Sequence, residues 1–286
     1  RAPSTTRPPL QKNIFNLILR FLFNQSISII NLYIPFMKHK LLKKIIGVFG
    51  YKLVEKNFFK NERLISSKSF LKIDKLLEVI FNEKKINNLI QVGANDGKRF
   101  DILNFFIKKY GCKSLLVEPI KKYFYKLKEN YKNCDFVEFE NSAISVDGRI
   151  EKIFTVNPKY LSKYGNHIPG ISSFKKEHLI KHGVKKSHII NESVSSISMI
   201  NLLKKFNIQS LNLLYIDAEG YDANIVIDFL KTTSMRPIII LEYIHVEKNI
   251  FETMLNILEK EKYTLFTINE NLFCYPEKDK QFIKFN

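Results

Sequence analysis

The stretch Leu89-Ile-Gln-Val-Gly-Ala-Asn-Asp-Gly97 decides the fold. A short apolar strand runs into a turn bracketed by two glycines that carries an Asn-Asp pair, and a helix-like segment follows. A strand that stops at Gly93 lets the backbone turn sharply and lets a ligand approach without meeting a side chain. Amide groups that open the next helix can hold an anion or a carboxylate. This is the form of a nucleotide-type cofactor site, although Gly-Ala-Asn-Asp-Gly lacks the G-x-G-x-x-G spacing of the dinucleotide fingerprint. By itself a Gly-x-x-x-Gly turn also fits an ordinary tight turn, so its meaning depends on what lies at a distance from it.

Outward from that turn the chain alternates between strands and helices. Leu71, Ile73, Leu76, Leu77, Ile80 and Phe81 have helical spacing, which predicts a helix over 70–81. Residues 88–93 form the first predicted strand. The spacing then predicts a helix over 100–110, with Ile102, Leu103, Phe105, Phe106 and Ile107 inward and Gly111 as its C-terminal cap. Further strands are predicted at 114–118, 135–139, 211–217 and 237–242, with helices opened by Pro119 and spanning 199–206, 223–230 and 249–260. Asp147-Gly148 reads as a hairpin turn leading into 150–156. Residues 157–190 read as a long polar connection, the kind of loop that is functional or mobile inside a compact domain. Segments 264–268 and 272–275 read as a closing hairpin that adds an antiparallel edge. Strands separated by helices of this length imply an α/β fold, doubly wound, with a mostly parallel sheet covered on both faces.

In such sheets ligands bind beyond the carboxyl ends of the strands, where the strand order reverses. The polar residues that break the apolar pattern lie at those ends. Glu118 ends the second strand, where a carboxylate can accept from both hydroxyls of a ribose; the alternative is a solvent-facing Glu before a helix-starting Pro119. Asn141-Ser142-Ala143 follows the third strand, where it meets an adenine edge or makes a simple turn. The fourth strand ends in Tyr215-Ile-Asp217-Ala-Glu219-Gly-Tyr-Asp222. Carboxylates crowded at a strand end repel one another unless they hold a ligand, a cation or a proton. Helix capping accounts for Asp222 but not for Asp217. The fifth strand, Ile-Ile-Ile-Leu, ends at Glu242, with His245 close behind.

A chain of 286 residues that is 45% hydrophobic can bury a full core. Its three cysteines, Cys112, Cys134 and Cys274, are too scattered for a disulfide framework or a zinc site and fit a reducing compartment. A formal net charge of +18 raises nucleic acid or an anionic membrane as partners. Against nucleic acid, lysines outnumber arginines by thirty-nine to seven and are spread over the whole length, whereas base and phosphate readout favours arginine. Residues 1–9 read as a disordered leader without an initiating Met. Residues 14–36 are apolar but carry a stripe of Asn and Arg, which disfavours a membrane span and suits an interfacial amphipathic helix backed by lysines. The other reading of 14–44 is a helix packed on the protein's own catalytic domain or on a second subunit. No small-residue cleavage site follows, so it does not read as a signal peptide.

Val92-Gly93-Ala94-Asn95-Asp96-Gly97, Val117-Glu118-Pro119, Ile171-Ser-Ser173, Ile216-Asp217-Ala218-Glu219-Gly220-Tyr221-Asp222 and Leu241-Glu242, taken in order, resemble the FkbM-like methyltransferases. The resemblance spans about residues 88–275. Asp222 stands where Glu is frequent and Ala218 where Val is frequent, with the charge pattern unchanged. The resemblance implies a class I, Rossmann-like, seven-stranded fold whose last strand is antiparallel, with S-adenosyl-L-methionine as cofactor. The chain as a whole is read as an N-terminal leader and amphipathic helical extension, 1–65, and a methyltransferase domain, 66–286. By carry-over, Gly93, Ala94 and Gly97 would line the methionine and ribose side, Asn95 and Asp96 the amino-acid portion, and Glu118, followed by Pro119, the ribose. Asn141, Ser142 and Ala143 would lie near the adenine, and Asp217 beside the cofactor. The family is associated with O-methylation of sugar or polyketide hydroxyls.

A hydroxyl nucleophile must be placed in line with the methyl group and must lose its proton to a base within hydrogen-bond reach. Asp217, Glu219, Glu242 and His245 are the candidates for that base. A divalent cation held between Asp217 and Glu242 is a second route to an acidified hydroxyl, but direct base catalysis is preferred and no residue is assigned to a metal. Residues 157–190, with His167, His178, His182, His188 and the 171–173 turn, read as a substrate lid, although plain surface exposure suits His178, His182 and His188 better. The expected partner is a small-molecule or glycan acceptor, met in the cytoplasm or at the inner face of the membrane through 14–44. Methylation of nucleic acid, or a non-catalytic binding module on the same fold, are the competing readings. The sequence specifies neither the acceptor nor an oligomeric state.

Overall fold

The computed structural model describes residues 72–277, apart from 100, 150, 166 and 167; the expectations for residues 1–71 and for His167 lie outside the described residues. The described residues form α1 (Ile73–Lys84), β1 (Asn88–Val92), α2 (Asn104–Tyr110), β2 (Lys113–Val117), α3 (Lys121–Asn130), β3 (Val137–Glu140) and β4 (Ala143–Ile144). Then come β5 (Glu151–Val156), α4 (Lys176–Lys181), β6 (Ile189–Val194), β7 (Ser196–Ile197) and α5 (Met199–Lys205). The chain continues through β8 (Leu213–Ile216), α6 (Asp222–Thr232), β9 (Ile238–Glu242), α7 (Lys248–Lys260), β10 (Tyr263–Ile268) and β11 (Asn271–Pro276).

Seven of these strands make one sheet in the order β10-β11-β9-β8-β1-β2-β3. The pairs β1–β2, β2–β3, β1–β8 and β8–β9 are parallel, and β11 runs antiparallel to both β9 and β10. The last strand is therefore antiparallel as expected, but it is not an edge. It inserts between β9 and β10, pairing Phe273 with both Ile240 and Phe266.

The period of two along each strand sorts the core into two layers. Leu89, Leu116, Leu213, Ile238 and Ile240 pack with Leu77, Ile80, Phe81, Phe106, Ile107 and Leu127 of α1, α2 and α3. Ile90, Leu115, Leu214, Ile239 and Leu241 pack on the other side with Leu202, Val226, Phe229, Met254 and Leu258 of α5, α6 and α7. Strands buried on both faces need the continuous apolar runs seen in the sequence. Helix α2 starts later than its spacing predicts, and Phe105, expected inward, is 61% exposed because the seven-residue helix turns only Phe106 and Ile107 to the core. Gly111 caps it as predicted, at φ +60 with its N–H donating to the carbonyl of Ile107.

The segment between β3 and α5 differs most from expectation. Asp147-Gly148 does not join a hairpin: β5 pairs antiparallel with β6, some forty residues on, and β4 pairs parallel with β7. The stretch 157–190 is not a plain loop either. It holds three 3₁₀ turns, α4 and the start of β6 around a small core of Val156, Ile168, Ile171, Leu179, Val184 and Ile189.

Strand order reverses between β1 and β8, because the chain leaves β1 for β2 on one side and later returns to β8 on the other. Gly93 lies at that point with φ +82, and a Cβ added to it would sit 1.9 Å from the carbonyl oxygen of Asp217. Its N–H and that of Ala94 both donate to the carbonyl of Val117, while the N–H of Asp217 donates to the carbonyl of Val92. Left-handed backbone plus backbone overlap should make Gly93→Ala cost more than about 3 kcal/mol. At Gly111, where a Cβ meets nothing within 4 Å, the same change should cost about 1–2 kcal/mol. Urea unfolding of the two variants checks the difference.

Candidate active site

A cavity of about 450 Å³ opens beyond the carboxyl ends of β1, β2, β8 and β9, within the size range of small-molecule sites. Gly93, Ala94, Asn95, Glu118, Pro119, Ser142, Ala143 and Asp217 line it from the nucleotide-like side of the motif set, together with Glu219, Glu242 and His245. Gly170 to Phe174 of the inserted segment form the opposite wall.

Three of the sequence-derived residues stand behind the wall rather than in it. Asp96 is buried, and its carboxylate accepts from the N–H groups of Lys98 and Arg99 and from the Arg99 guanidinium, so it shapes the turn. Gly97 gives way to α3: a Cβ there would meet Leu127 at 2.4 Å and Tyr131 at 2.8 Å. Asn141 donates to the carbonyls of Glu118 and Pro119 and so ties the ends of β2 and β3 together. Asp222 does not cap its own helix either. It is fully buried and accepts from the N–H groups of Ala218 and Gly220, pinning the loop that carries Glu219.

Glu118 is 4% exposed, and its two oxygens accept from the N–H groups of Asn95 and Ile120 at 2.9 and 2.8 Å. A carboxylate offers about four acceptor positions, so two remain for ligand hydroxyls. Burial pushes its carboxyl up to about 7 against those two hydrogen bonds. Asn95 holds the turn in the left-handed region, φ +49, accepting from the N–H of Asp96 and donating to the carbonyl of Gly170 across the cavity.

Sequence reasoning missed Gln91 and Asp101. Gln91 lies in β1, 2% exposed, and lines the cavity with Asp101. Its amide donates to Asp101 Oδ1 at 3.0 Å, while its carbonyl oxygen has no protein partner. Ser142 Oγ, also buried against the cavity, has none. The available signal was a lone Gln inside an otherwise apolar strand. Buried acceptors and hydroxyls are normally satisfied, so these two orphans, the missing side chain at Gly93 and the spare positions on Glu118 fit a polar nucleoside-type ligand.

The other half of the cavity is acidic. Burial first, then neighbouring carboxylates, raises Asp217 to about 6, Glu219 to about 8 and Glu242 to about 9. Glu219 Oε2 lies 2.8 Å from His178 Nε2, and Glu242 Oε1 lies 3.8 Å from His245 Nε2. Burial, then His178 and His182, lowers His245 to about 4. His178, read from sequence as a surface residue, is 8% exposed, and His182 lines the cavity. His188 is half-buried and structural, stacked on Tyr160 and 2.6 Å from the Tyr164 hydroxyl. Ser173 donates to the backbone carbonyl of Glu219, which fastens the inserted segment to the acidic loop.

This strand order with its single antiparallel strand, and a cavity at the β1–β8 reversal, define a class I methyltransferase fold. Residues 91–265, more than half of the chain, match the model of the Methyltransferase FkbM domain, and the chain belongs to that family. It is an S-adenosylmethionine-dependent methyltransferase. Similar solved structures include the S-adenosylhomocysteine-bound methyltransferase PaMTH1 of Podospora anserina, at 8% identity and TM-score 0.40 over 87% of this chain and 100% of that one. An O-methyltransferase from Bacillus cereus in complex with S-adenosylhomocysteine matches at 8% identity and TM-score 0.39, over 82% and 97%. A methyltransferase from Geobacter sulfurreducens matches at 8% and 0.39, over 85% and 99%. No curated protein matches the sequence. Among the described residues, no helix is long and apolar enough to cross a membrane.

The raised carboxyls fix a sign for stability. Glu242 titrates near 9 when folded against 4.5 ordinarily, so the folded state binds the extra proton and its stabilising effect is lost as pH rises between those values. His245 works at the other end, near 4 against 6.5, and costs stability as pH falls below 6.5. With chelator and without ligand, the melting temperature should therefore drop from pH 6.5 to 9, and Glu242→Gln should flatten that drop. An unchanged slope in the variant would remove Glu242 from the acidic cluster.

Proposed function

We propose that the chain methylates a hydroxyl of a sugar, glycan or related secondary metabolite. The observation that carries this reading is the Asp217 carboxylate. It directly follows β8, beside Gly93, and lines the cavity, with no side-chain hydrogen bond to the protein among the described residues. Raised to about 6 by burial and by Glu270, it is ionised at neutral pH yet more basic than an ordinary aspartate, the tuning suited to a general base.

Gly93, Ala94 and Asn95 would hold the methionine side of the donor, Glu118 the ribose hydroxyls, and Ser142 and Ala143 the adenine edge. Gln91 Oε1 would accept from the donor's ammonium. S-adenosylmethionine supplies an electrophilic methyl on a sulfonium, so the protein's task is placement of the nucleophile and removal of its proton. An Asp217 oxygen would accept the hydroxyl proton while the methyl passes from the sulfonium sulfur to the acceptor oxygen, the sulfur–methyl bond breaking and S-adenosylhomocysteine leaving. Glu219, Glu242, His182 and His245 line the acceptor side of the cavity, a polar wall suited to a polyhydroxyl substrate.

Asp217→Asn should leave S-adenosylhomocysteine affinity within a few-fold of wild type while turnover falls about 10²–10⁴-fold. The wild-type kcat/KM should rise with pH through about 6, the value to which Asp217 is raised. Methyl transfer from labelled donor to a panel of glycosides and nucleotide sugars, with RNA alongside, tests the acceptor class. Transfer to RNA alone would overturn the reading, and so would full turnover in the Asn variant.

A further inference from the structure

The inserted segment brings a second kind of chemistry to the cavity mouth. His178 lies on α4, and His182, four residues on, is its C-terminal cap. An i, i+4 spacing puts two imidazoles on one helical face, as in helical zinc sites. His245, three residues after β9, meets them from the other side: the ring centroids lie 4.7 Å apart for His178–His182, 4.6 Å for His178–His245 and 4.9 Å for His182–His245. One ring nitrogen from each lies within 4.8 Å of the others, and Glu219, Glu242 and His245 make a second group of the same compactness. His245 belongs to both groups. Nothing in the base chemistry attributed to Asp217 uses His178 or the convergence of three imidazoles.

We propose that His178, His182 and His245 bind one zinc-type transition-metal dication at the mouth of the cavity, with Glu219 and Glu242 as its carboxylate partners. Imidazole nitrogens sit at about 2.0–2.1 Å from such an ion, so small side-chain torsions bring three nitrogens of this spacing onto one centre. Metal-ligating histidines almost always have an outer partner on or near the ring, and Glu219 Oε2, 2.8 Å from His178 Nε2, fills that role. Glu242 Oε1, 3.8 Å from His245 Nε2, is placed either to ligate or to brace. Softness favours this class of ion, because imidazole suits zinc, copper, iron and nickel whereas an all-oxygen set would suit magnesium.

Charge points the same way. Asp217, Glu219, Glu242 and Glu270 all line the cavity, and a dication relieves their mutual repulsion. Arg99 also lines the cavity but is ion-paired to Asp96, and on the histidine side stand the exposed Lys181 and Lys175, the latter paired to Glu247. His182, His245, Glu219 and Glu242 all face the cavity, so an open coordination position would face the acceptor. Acidification of its hydroxyl there rests on the O-methylation reading; metal binding does not.

The test uses the tag-free full-length chain, stripped with chelator and titrated with Co²⁺ alone. Ligand-field absorption should saturate at one equivalent, with competition by Zn²⁺. His182→Ala and His245→Ala should each weaken binding at least about tenfold, and Glu219→Gln by about 10–100-fold as an outer partner. His188→Ala, outside the cluster, should leave the titration unchanged. If an alanine variant does not fold by circular dichroism, His182→Gln keeps the polarity and should show the same loss. Co²⁺ binding that is absent in the wild type, or undiminished in a His182→Ala/His245→Ala double variant, overturns the proposal. S-adenosylhomocysteine calorimetry on the same preparation separates a failed metal site from a failed donor site.

Discussion

The approach of Gly93 to the carbonyl of Asp217 is the constraint on which the site depends. It fixes the distance between the carboxyl ends of β1 and β8, where strand order reverses. Because no side chain fills that point, the cavity reaches down to backbone, and Glu118 at the end of β2 can hold the turn through Asn95. The same contact sets the position of the Asp217 carboxylate relative to the nucleoside-like wall. Methyl transfer needs only that donor and nucleophile be held in line, so the separation of these two strand ends is a chemical dimension as well as a packing one.

A second physical theme is the concentration of buried acid. Asp217, Glu219, Asp222 and Glu242 are each raised first by burial; Glu270 adds to the shift of Asp217, and Asp217 adds to the shifts of the other three. Only Asp222 is held by backbone donors of its own loop, from Ala218 and Gly220. The others face the cavity, where protons, a polyhydroxyl ligand or a cation can offset their repulsion. Such a cluster weakens the empty fold, a cost characteristic of functional sites.

The sheet was legible because its strands are buried on both faces. Leu213–Ile216 and Ile238–Glu242 are near-continuous apolar runs, and polar residues at their ends could only be turn or site. Glu118, Asp217, Glu219 and Glu242 were therefore found at the cavity from the sequence. The side of a turn that a residue faces was not legible: Asp96 and Asn141 carry the right chemistry, yet each spends it on neighbouring backbone. The inserted segment was opaque for another reason. Its small core of Ile168, Ile171, Leu179 and Val184 is assembled from widely spaced residues, and β5 finds its partner β6 beyond it. Only that long-range pairing carries His178 into contact with Glu219, so no local pattern could mark it as buried. The place of β11 inside the sheet is likewise set by pairing with β9, which hairpin length alone does not specify.

The central claim is that the β1–β8 reversal holds the methyl donor. Calorimetric titration of the chain with S-adenosylhomocysteine tests it directly, with Glu118→Ala as the matched variant. One-to-one binding is expected, weakened by at least about tenfold when the buried charge-assisted contact is removed. Absence of binding in the wild type, or equal affinity in a folded Glu118→Ala protein, would contradict it.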